Sequence, residues 1–394
     1  MRHSPRRRGT IFAAMFVATS LLAAGCASSA GSTSTSSAPS SGSSSESASA
    51  ASGVDAAKAA IAAAEQPPTW QGPDAPVDLS ASKGKSVWYI SFADAIPVLK
   101  FWSTTTKDLL EKKAGIQFTL FDAKGLASEV KRGLEQAIAA KPDVIITQAI
   151  PPSLFAPLIK SATSQGIKVI TGNTGTPGVV DAGQTAEVSF DYPKVGKILG
   201  DWFVADSNGT GNGLLVSSND VPASPAQANE TVSEVKTLCP GCKLDVKDVQ
   251  IASWQTTLPT LTRSTVNADP SLGYFLPLYD GQGLPILGAL RQAGNTTAKV
   301  VAFNATPSIL PQLADPSSNL AADLGGANEW WSYACADAVF RALAGSAPIA
   351  NYNIGLRMFD RSNISQIDLK APEASWYGQA TYQAKFDALW QNAS

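Results

Sequence analysis

Histidine is nearly missing from this chain of 394 residues: the single one is His3. Without it the rest of the protein has no imidazole for a Ser-His-Asp or Cys-His nucleophile, for the common zinc sites or for a proton relay near neutral pH. Cysteine is scarce as well, at four residues, and charged side chains make up only 16% of the sequence. No basic patch interleaved with aromatics occurs, which argues against a nucleic-acid partner. Only one apolar run is of note, Ile11 to Ala24, and it is too short to span a bilayer as a stable helix.

That run has a meaning of its own. Arg2, Arg6, Arg7 and Arg8 precede it, small residues end it, and Gly25-Cys26 closes it. This is the order of an export signal. LAAGC, residues 22–26, resembles the lipobox of bacterial lipoproteins, although Ala23 stands where leucine is usual. The resemblance implies cleavage before Cys26 and a diacylglycerol on its sulfur; the plain alternative is an ordinary secretory signal. Removing residues 1–25 takes four of the 30 basic residues and none of the 32 acidic ones, so the mature net charge is near −6.

Residues 26–53, largely Ser, Ala, Gly and Thr, are expected to be a flexible tether with too few large apolar side chains to order itself. Such a linker holds a domain on the order of 25 to 30 Å from a membrane. Residues 54–84 form an arm, with an alanine-rich helix over Val54 to Glu65 closed by Pro67-Pro68. About 300 residues follow, enough for two domains.

Their pattern alternates short apolar runs with amphipathic segments, the mark of parallel sheets covered on both faces. Strands are expected at Val87–Phe92, Ile116–Phe121, Val144–Gln148 and Val169–Thr171, with helices over Leu99–Ala114, Ser128–Ala140 and Pro157–Gln165. A second series has strands at Gly213–Ser217, Asp245–Ile251, Tyr274–Leu278, Val300–Phe303 and Ala321–Asp323. Its helices are Ala226–Leu238, Thr257–Asn267, Leu284–Ala293 and Ser308–Ala314. The fold class is α/β, two Rossmann-like lobes. In such sheets ligands bind beyond the carboxyl ends of the strands.

Cys239-Pro-Gly-Cys242 has the spacing of a redox motif, but it follows a helix and precedes a strand, the reverse of the redox arrangement. It is read as a local structural disulfide, with thiol chemistry as the alternative. Cys335, in the helical run Glu329 to Leu343, reads as a buried free thiol.

Several stretches resemble the type I periplasmic binding proteins, the ribose- and galactose-like sugar-binding components of ABC importers. They include Lys168-Val-Ile-Thr-Gly-Asn173, Val188-Ser-Phe-Asp191-Tyr-Pro-Lys-Val-Gly196, Leu278-Tyr-Asp280, Gly288 to Gly294, Val300-Val-Ala-Phe-Asn304 and Ala342-Leu-Ala-Gly345. The match runs from about Lys85 to Gly345. It implies two lobes joined by three crossovers near Phe190, Ala327 and Asp360, a hinge, and a ligand cleft between the lobes. The N-lobe would comprise 85–190 and 327–360, and the C-lobe 191–326 and 361–394. It further implies a monomeric binding protein without cofactor or enzymatic activity, handing a small molecule to an ABC permease at the outer face of a membrane.

A sugar site needs aromatic faces and planar hydrogen-bonding groups. Trp254 stands where the family has a stacking aromatic; its alternative is a partly buried surface residue. Phe92 and Asp94 follow the first strand, and Phe92 can equally end the core of that strand. Tyr279 and Asp280 lie where the family puts an amide and a carboxylate, while Asp280 can instead cap the next helix. Asn173 and Asn304 replace the usual aspartates, the usual arginine of the second lobe is absent from Pro225 to Glu230, and Asn219 and Asn328 are weaker candidates. Trp330 and Trp331 are better placed for core packing than for a ligand wall. The expected ligand is therefore a sugar held by neutral groups, or a less hydroxylated molecule such as an aromatic or sterol-like acid or a signalling compound. The enzymatic alternative is a thiol oxidoreductase through Cys239 and Cys242 or a histidine-free hydrolase, and a receptor that presents ligand to a membrane sensor is a further binding role.

Overall fold

The computed structural model describes residues 43–378 and 381–391. The signal segment, Cys26 and the first part of the tether lie outside the described residues. In chain order the elements are α1 (Ser43–Ala64), β1 (Val77–Asp78), β2 (Ser86–Ser91), α2 (Pro97–Ala114), β3 (Gln117–Asp122), α3 (Ala127–Ala140), β4 (Val144–Gln148), α4 (Ala156–Ser164), β5 (Lys168–Gly172) and β6 (Ala186–Val188). Then come α5 (Tyr192–Asp206), β7 (Asn212–Ser217), α6 (Ser224–Leu238), β8 (Lys243–Asp248), α7 (Trp254–Ala268), β9 (Tyr274–Pro277), α8 (Asp280–Gln292) and β10 (Lys299–Phe303). The chain ends with β11 (Leu320–Gly326), α9 (Asn328–Ala344), β12 (Leu356–Asp360), α10 (Thr381–Leu389) and β13 (Trp390–Gln391).

Two sheets form the lobes. The N-lobe sheet is wholly parallel in the order β3-β2-β4-β5-β6, and the C-lobe sheet runs β12-β11-β10-β9-β7-β8 with only β12 antiparallel. Counted from its first strand, each lobe has the same doubly wound order, and each reverses direction beside that strand, β2 or β7. The crevice at such a reversal is where an open α/β sheet receives a ligand. Val144-Ile-Ile-Thr-Gln148 shows the physical cause of this layering: every residue of β4 is buried, as required of a strand covered by helices on both faces. Gly115 and Gly345 end α2 and α9 in the left-handed conformation, at φ of 64° and 70°, which glycine adopts without a Cβ clash.

The lobe boundaries differ from expectation at the C-terminal end. β12 pairs with β11 from Ala322↔Asp360 to Gly326↔Leu356, so residues 356–360 belong to the C-lobe sheet rather than to the N-lobe. The last segment, expected in the C-lobe, packs on N-lobe elements instead. Tyr382 stacks on Trp330 of α9 at 5.1 Å, Phe386 and Trp390 pack on Tyr333, and Lys113 of α2 pairs with Asp387 at 2.6 Å. The cause is an aromatic strip, Tyr382, Phe386 and Trp390, at helical spacing, which buries itself against α9. β13 then pairs in parallel with β1.

The arm is also a correction. The helix begins at Ser43, inside the segment expected to be a loose tether, where the serine-rich residues 43–53 continue a helix whose turns at Val54, Ala57 and Ile61 are docked and supply the costly nucleus. α1 rests on the C-lobe: Lys58 Nζ donates to Asn208 Oδ1 at 3.0 Å, and a Cβ placed on Gly53 would fall 2.1 Å from the carbonyl oxygen of Leu238. From there the chain passes the edge strand of the C-lobe, where Arg357 Nε of β12 donates to the Glu65 carbonyl at 2.9 Å and Pro68 abuts Gly355, and reaches the N-lobe, where Trp70 stacks on Trp330 at 5.3 Å with its edge against Phe386.

Below α1, Cys239 and Cys242 are joined by a disulfide with Cα atoms 5.4 Å apart. Cys335 is a free thiol, fully buried in α9, and burial pushes its pKa up to about 12. Deep in the N-lobe, Arg341 Nε donates to Asp337 Oδ2 at 2.6 Å, and the same carboxylate accepts from Tyr352 Oη and Trp390 Nε1 at 2.9 Å each. This buried ion pair thus has its remaining lone pairs satisfied. Among the described residues no helix is long and apolar enough to cross a membrane, and no cluster of three His, Cys, Asp or Glu residues is arranged to hold a metal.

Candidate functional site

A cavity lies at the carboxyl ends of the central strands of both sheets, between the lobes. The space in it open to the centre of a water molecule is about 60 Å³. The N-lobe contributes Phe92 and Ala149 after β2 and β4, Asn173 after β5, and the first turns of α2 from Ile96 to Trp102. The C-lobe contributes Val221, Ile251, Trp254, Tyr279 and Asp280, with Leu284 from α8. Asn304, Thr306 and Ser308 complete it from the loop after β10. Among the described residues no lysine, arginine or histidine lines this cavity.

Trp254 opens α7 and is held from three sides. Its Nε1 donates to Ser218 Oγ at 2.8 Å and to the Val249 carbonyl at 3.0 Å, its ring stacks on Tyr279 at 6.0 Å and 25°, and the backbone of Gly281 presses on it so closely that a Cβ there would lie 2.7 Å away. Gln282 Nε2 steadies Ser218 Oγ at 2.9 Å. A fixed aromatic face of this kind gives stacking area at little entropic cost. Trp102 supplies a second ring from the opposite lobe. Its Nε1 donates to Asn328 Oδ1 at 3.1 Å, and Asn328 Nδ2 donates to the Asn304 carbonyl at 3.0 Å, so one amide links N-lobe helix, hinge and C-lobe loop.

Asn173 and Asn304 owe their identity partly to the backbone. Asn173 has φ of 57° and Asn304 of 128°, followed by Ala305 at 50°. Asparagine tolerates positive φ better than other residues with a Cβ, and such strained backbone is a mark of functional turns. The turn after β10 is held by two acids: Ala305 N–H donates to Asp323 Oδ1 at 3.2 Å, and Thr306 donates to Asp280 Oδ2 from N–H at 2.7 Å and from Oγ1 at 2.6 Å. Asp280 therefore does not cap α8. Burial, with no cation facing the pair, raises the pKa of Asp280, and Asp323 is raised by burial and by the neighbouring Asp280.

Among the described residues, both amide atoms of Asn173 are buried here without a protein partner, whereas Asp280 shares a hydrogen bond with Asp323. An unpaired buried amide costs on the order of 1 to 3 kcal/mol, a cost that a hydrogen-bonding ligand removes.

Of the sequence candidates, Phe92, Asn173, Trp254, Tyr279, Asp280 and Asn304 meet in this cavity. Three do not line it. Asn219 is exposed, because its N–H is drawn to Asp248 Oδ1 at 2.7 Å as the chain turns outward after β7; Val221 takes the lining place two residues on. Asp94 is half-buried behind the rim, where its carboxylate faces Ser103 Oγ at 3.5 Å. Asn328 sits behind Trp102 and positions it. Trp330 and Trp331 are core residues; Trp331 Nε1 donates to the Val188 carbonyl at 3.0 Å. The reading of the sequence missed Trp102, Tyr192, Thr306 and Ser308. Trp102 lies one turn inside α2, and only the apolar start of that helix, Ile96 to Leu99, hinted that it faces the cleft rather than its own sheet.

Two doubly wound lobes with a cleft at their switch points define a bilobal solute-binding protein of the type I periplasmic class. The family model for the periplasmic binding protein domain matches residues 100–347, and the chain belongs to that family. It is a binding protein and not an enzyme. Among solved structures it is similar to an ABC transporter solute-binding protein from Agrobacterium vitis with bound allitol, at 21% identity and a TM-score of 0.67 over 73% of this chain and 99% of the other. The 5-methylthioribose transporter solute-binding protein from Thermotoga lettingae shares 17% identity, with a TM-score of 0.67 over 80% and 99%. A glucose-galactose binding protein from Geobacillus stearothermophilus shares 16%, with a TM-score of 0.64 over 71% and 99%. No curated protein matches the sequence.

Proposed function

We propose that this chain is the lipid-anchored, extracytoplasmic solute-binding subunit of an ABC importer and that it holds an uncharged, sugar-like molecule between its lobes. The observation that carries this is the lining: aromatic faces from both lobes, Trp102 and Trp254, around the unpartnered amide of Asn173, with no basic side chain among the described residues. Ring faces meet C–H surfaces and amides meet hydroxyls, whereas a carboxylate or phosphate would enter without a countercharge. This chemistry favours a neutral ligand over an aromatic or sterol-like acid. Relatives of similar fold are described with allitol and with 5-methylthioribose, both uncharged and hydroxylated, which agrees. Export and anchoring rest on the LAAGC segment ending at Cys26.

The test is thermal unfolding of the mature protein with neutral pentoses, hexoses, polyols and matched sugar acids. A ligand present at 100 times its Kd stabilises the native state by about 2.7 kcal/mol. A shift with a neutral compound and none with its acid supports the reading; a shift with acids alone refutes it. For the anchor, Cys26→Ala should move the protein from the detergent phase to the aqueous phase in a detergent partition, and unchanged partition would remove the lipid.

A further inference from the structure

A second chamber opens beside the cleft. It shares Pro97, Val98, Thr306 and Ser308 with the central cavity and is completed by Phe101, Pro307, Asn328 and Glu373. The two spaces are alike in total empty volume, about 610 Å³ here and about 660 Å³ in the centre. Pro97, Val98 and Phe101 lie at i, i+1 and i+4 of α2, so Pro97 and Phe101 lie one turn apart along its surface.

The polar groups of this chamber are already engaged. Glu373 accepts from the N–H groups of Asn328 at 2.8 Å and Glu329 at 3.0 Å, which caps α9. Asn328 is spent on Trp102 and Asn304, and Thr306 Oγ1 on Asp280 and Ser308. What remains for an occupant is the apolar surface of Pro97, Val98, Phe101 and Pro307. The central cavity differs in this respect, since both unpartnered amide atoms of Asn173 ask for hydrogen bonds.

We propose that the ligand is a substituted neutral sugar or polyol whose hydroxylated head occupies the central cavity and whose apolar substituent, an alkyl or aryl group, passes between Val98 and Thr306 into the chamber beside Phe101. This rests on the neutral, sugar-like reading of the cleft. A bare sugar leaves the adjoining space unfilled, and the engaged polar groups of that space leave no role for a hydroxyl.

The test is calorimetric titration of the mature protein with neutral sugars and with their methyl, butyl and phenyl glycosides. Each methylene buried in the chamber adds about fourfold in affinity, so the butyl or phenyl glycoside should bind at least about tenfold more tightly than its parent. Phe101→Ala should remove most of that gain and leave the parent sugar within about twofold, which also shows that the variant is folded. A parent sugar that binds as tightly as all its glycosides overturns the chamber alone. So does a Phe101→Ala variant that weakens parent and glycoside equally. Failure of parents and glycosides alike overturns the cleft reading and this proposal with it.

Discussion

Glu187 gives a quantitative test of how the cleft is built. It is buried on β6 behind Asn173, where its carboxylate accepts from Thr171 Oγ1 and, at 3.0 Å, from the Thr174 N–H, with no basic group among its partners. Burial pushes its pKa from 4.5 to about 7. The folded protein thus holds a proton that the unfolded chain releases, and it binds more protons across the window from about pH 4.5 to 7. Stability must fall as pH rises through that window and level off above it. A shift of this size corresponds to about 3 kcal/mol at most. Glu187→Gln keeps the shape and can make both hydrogen bonds without titrating. Urea unfolding at pH 5 and pH 8 should show the wild type losing more stability than the variant, by a difference of up to about 3 kcal/mol. Identical pH slopes in the two proteins, or a wild type that gains stability with pH, would refute the assignment of a buried protonated acid at this position.

Other perturbations have expected outcomes. Arg341→Leu leaves Asp337 buried without its countercharge and should cost about 3 to 5 kcal/mol in chemical denaturation; a loss under 1 kcal/mol would show that Tyr352 and Trp390 suffice. Trp70→Ala removes the ring seated between Trp330 and Phe386, and about 2 to 4 kcal/mol should be lost with it; an unchanged midpoint would mean that the arm does not brace the lobes. Replacing Cys239 and Cys242 by serine opens a loop of four residues, so stability should fall by roughly 2 kcal/mol with ligand affinity unchanged. Loss of a thiol-exchange activity in that variant would instead restore the redox alternative.

Much of the architecture was legible because parallel strands buried on both faces read as short apolar runs. β2, β4, β7 and β10 lie within a residue or two of the expected spans. β6 was not recognised, since three residues carry no periodicity, and α5 was hidden in what looked like a crossover. Residues 356–360 were assigned to the wrong lobe because nothing in Leu-Arg-Met-Phe-Asp says that it will pair antiparallel at a sheet edge.

The site was legible at strand ends and obscure elsewhere. Asn173, Tyr279 and Asn304 follow strands directly, so the carboxyl-end rule finds them. Asn219 satisfies the same rule and still points to solvent, because the turn after β7 is set by Asp248. Trp102 reaches the cleft from within a helix and Ser308 from five residues past the end of β10, and their direction depends on how the lobes meet. Asn328 shows a third case: it lies behind the central cavity, where its amide orients Trp102, and lines the adjoining chamber.

The most direct measurement of the central claim is calorimetric titration of a neutral sugar-like ligand into the wild type and into Asn173→Ala. Both amide atoms of Asn173 await partners inside the cleft, and loss of two hydrogen bonds of about 1 kcal/mol each corresponds to roughly 30-fold in affinity. A weakening of at least tenfold with unchanged unfolding behaviour is the predicted result. Equal affinity of the two proteins would place the ligand elsewhere and contradict the account.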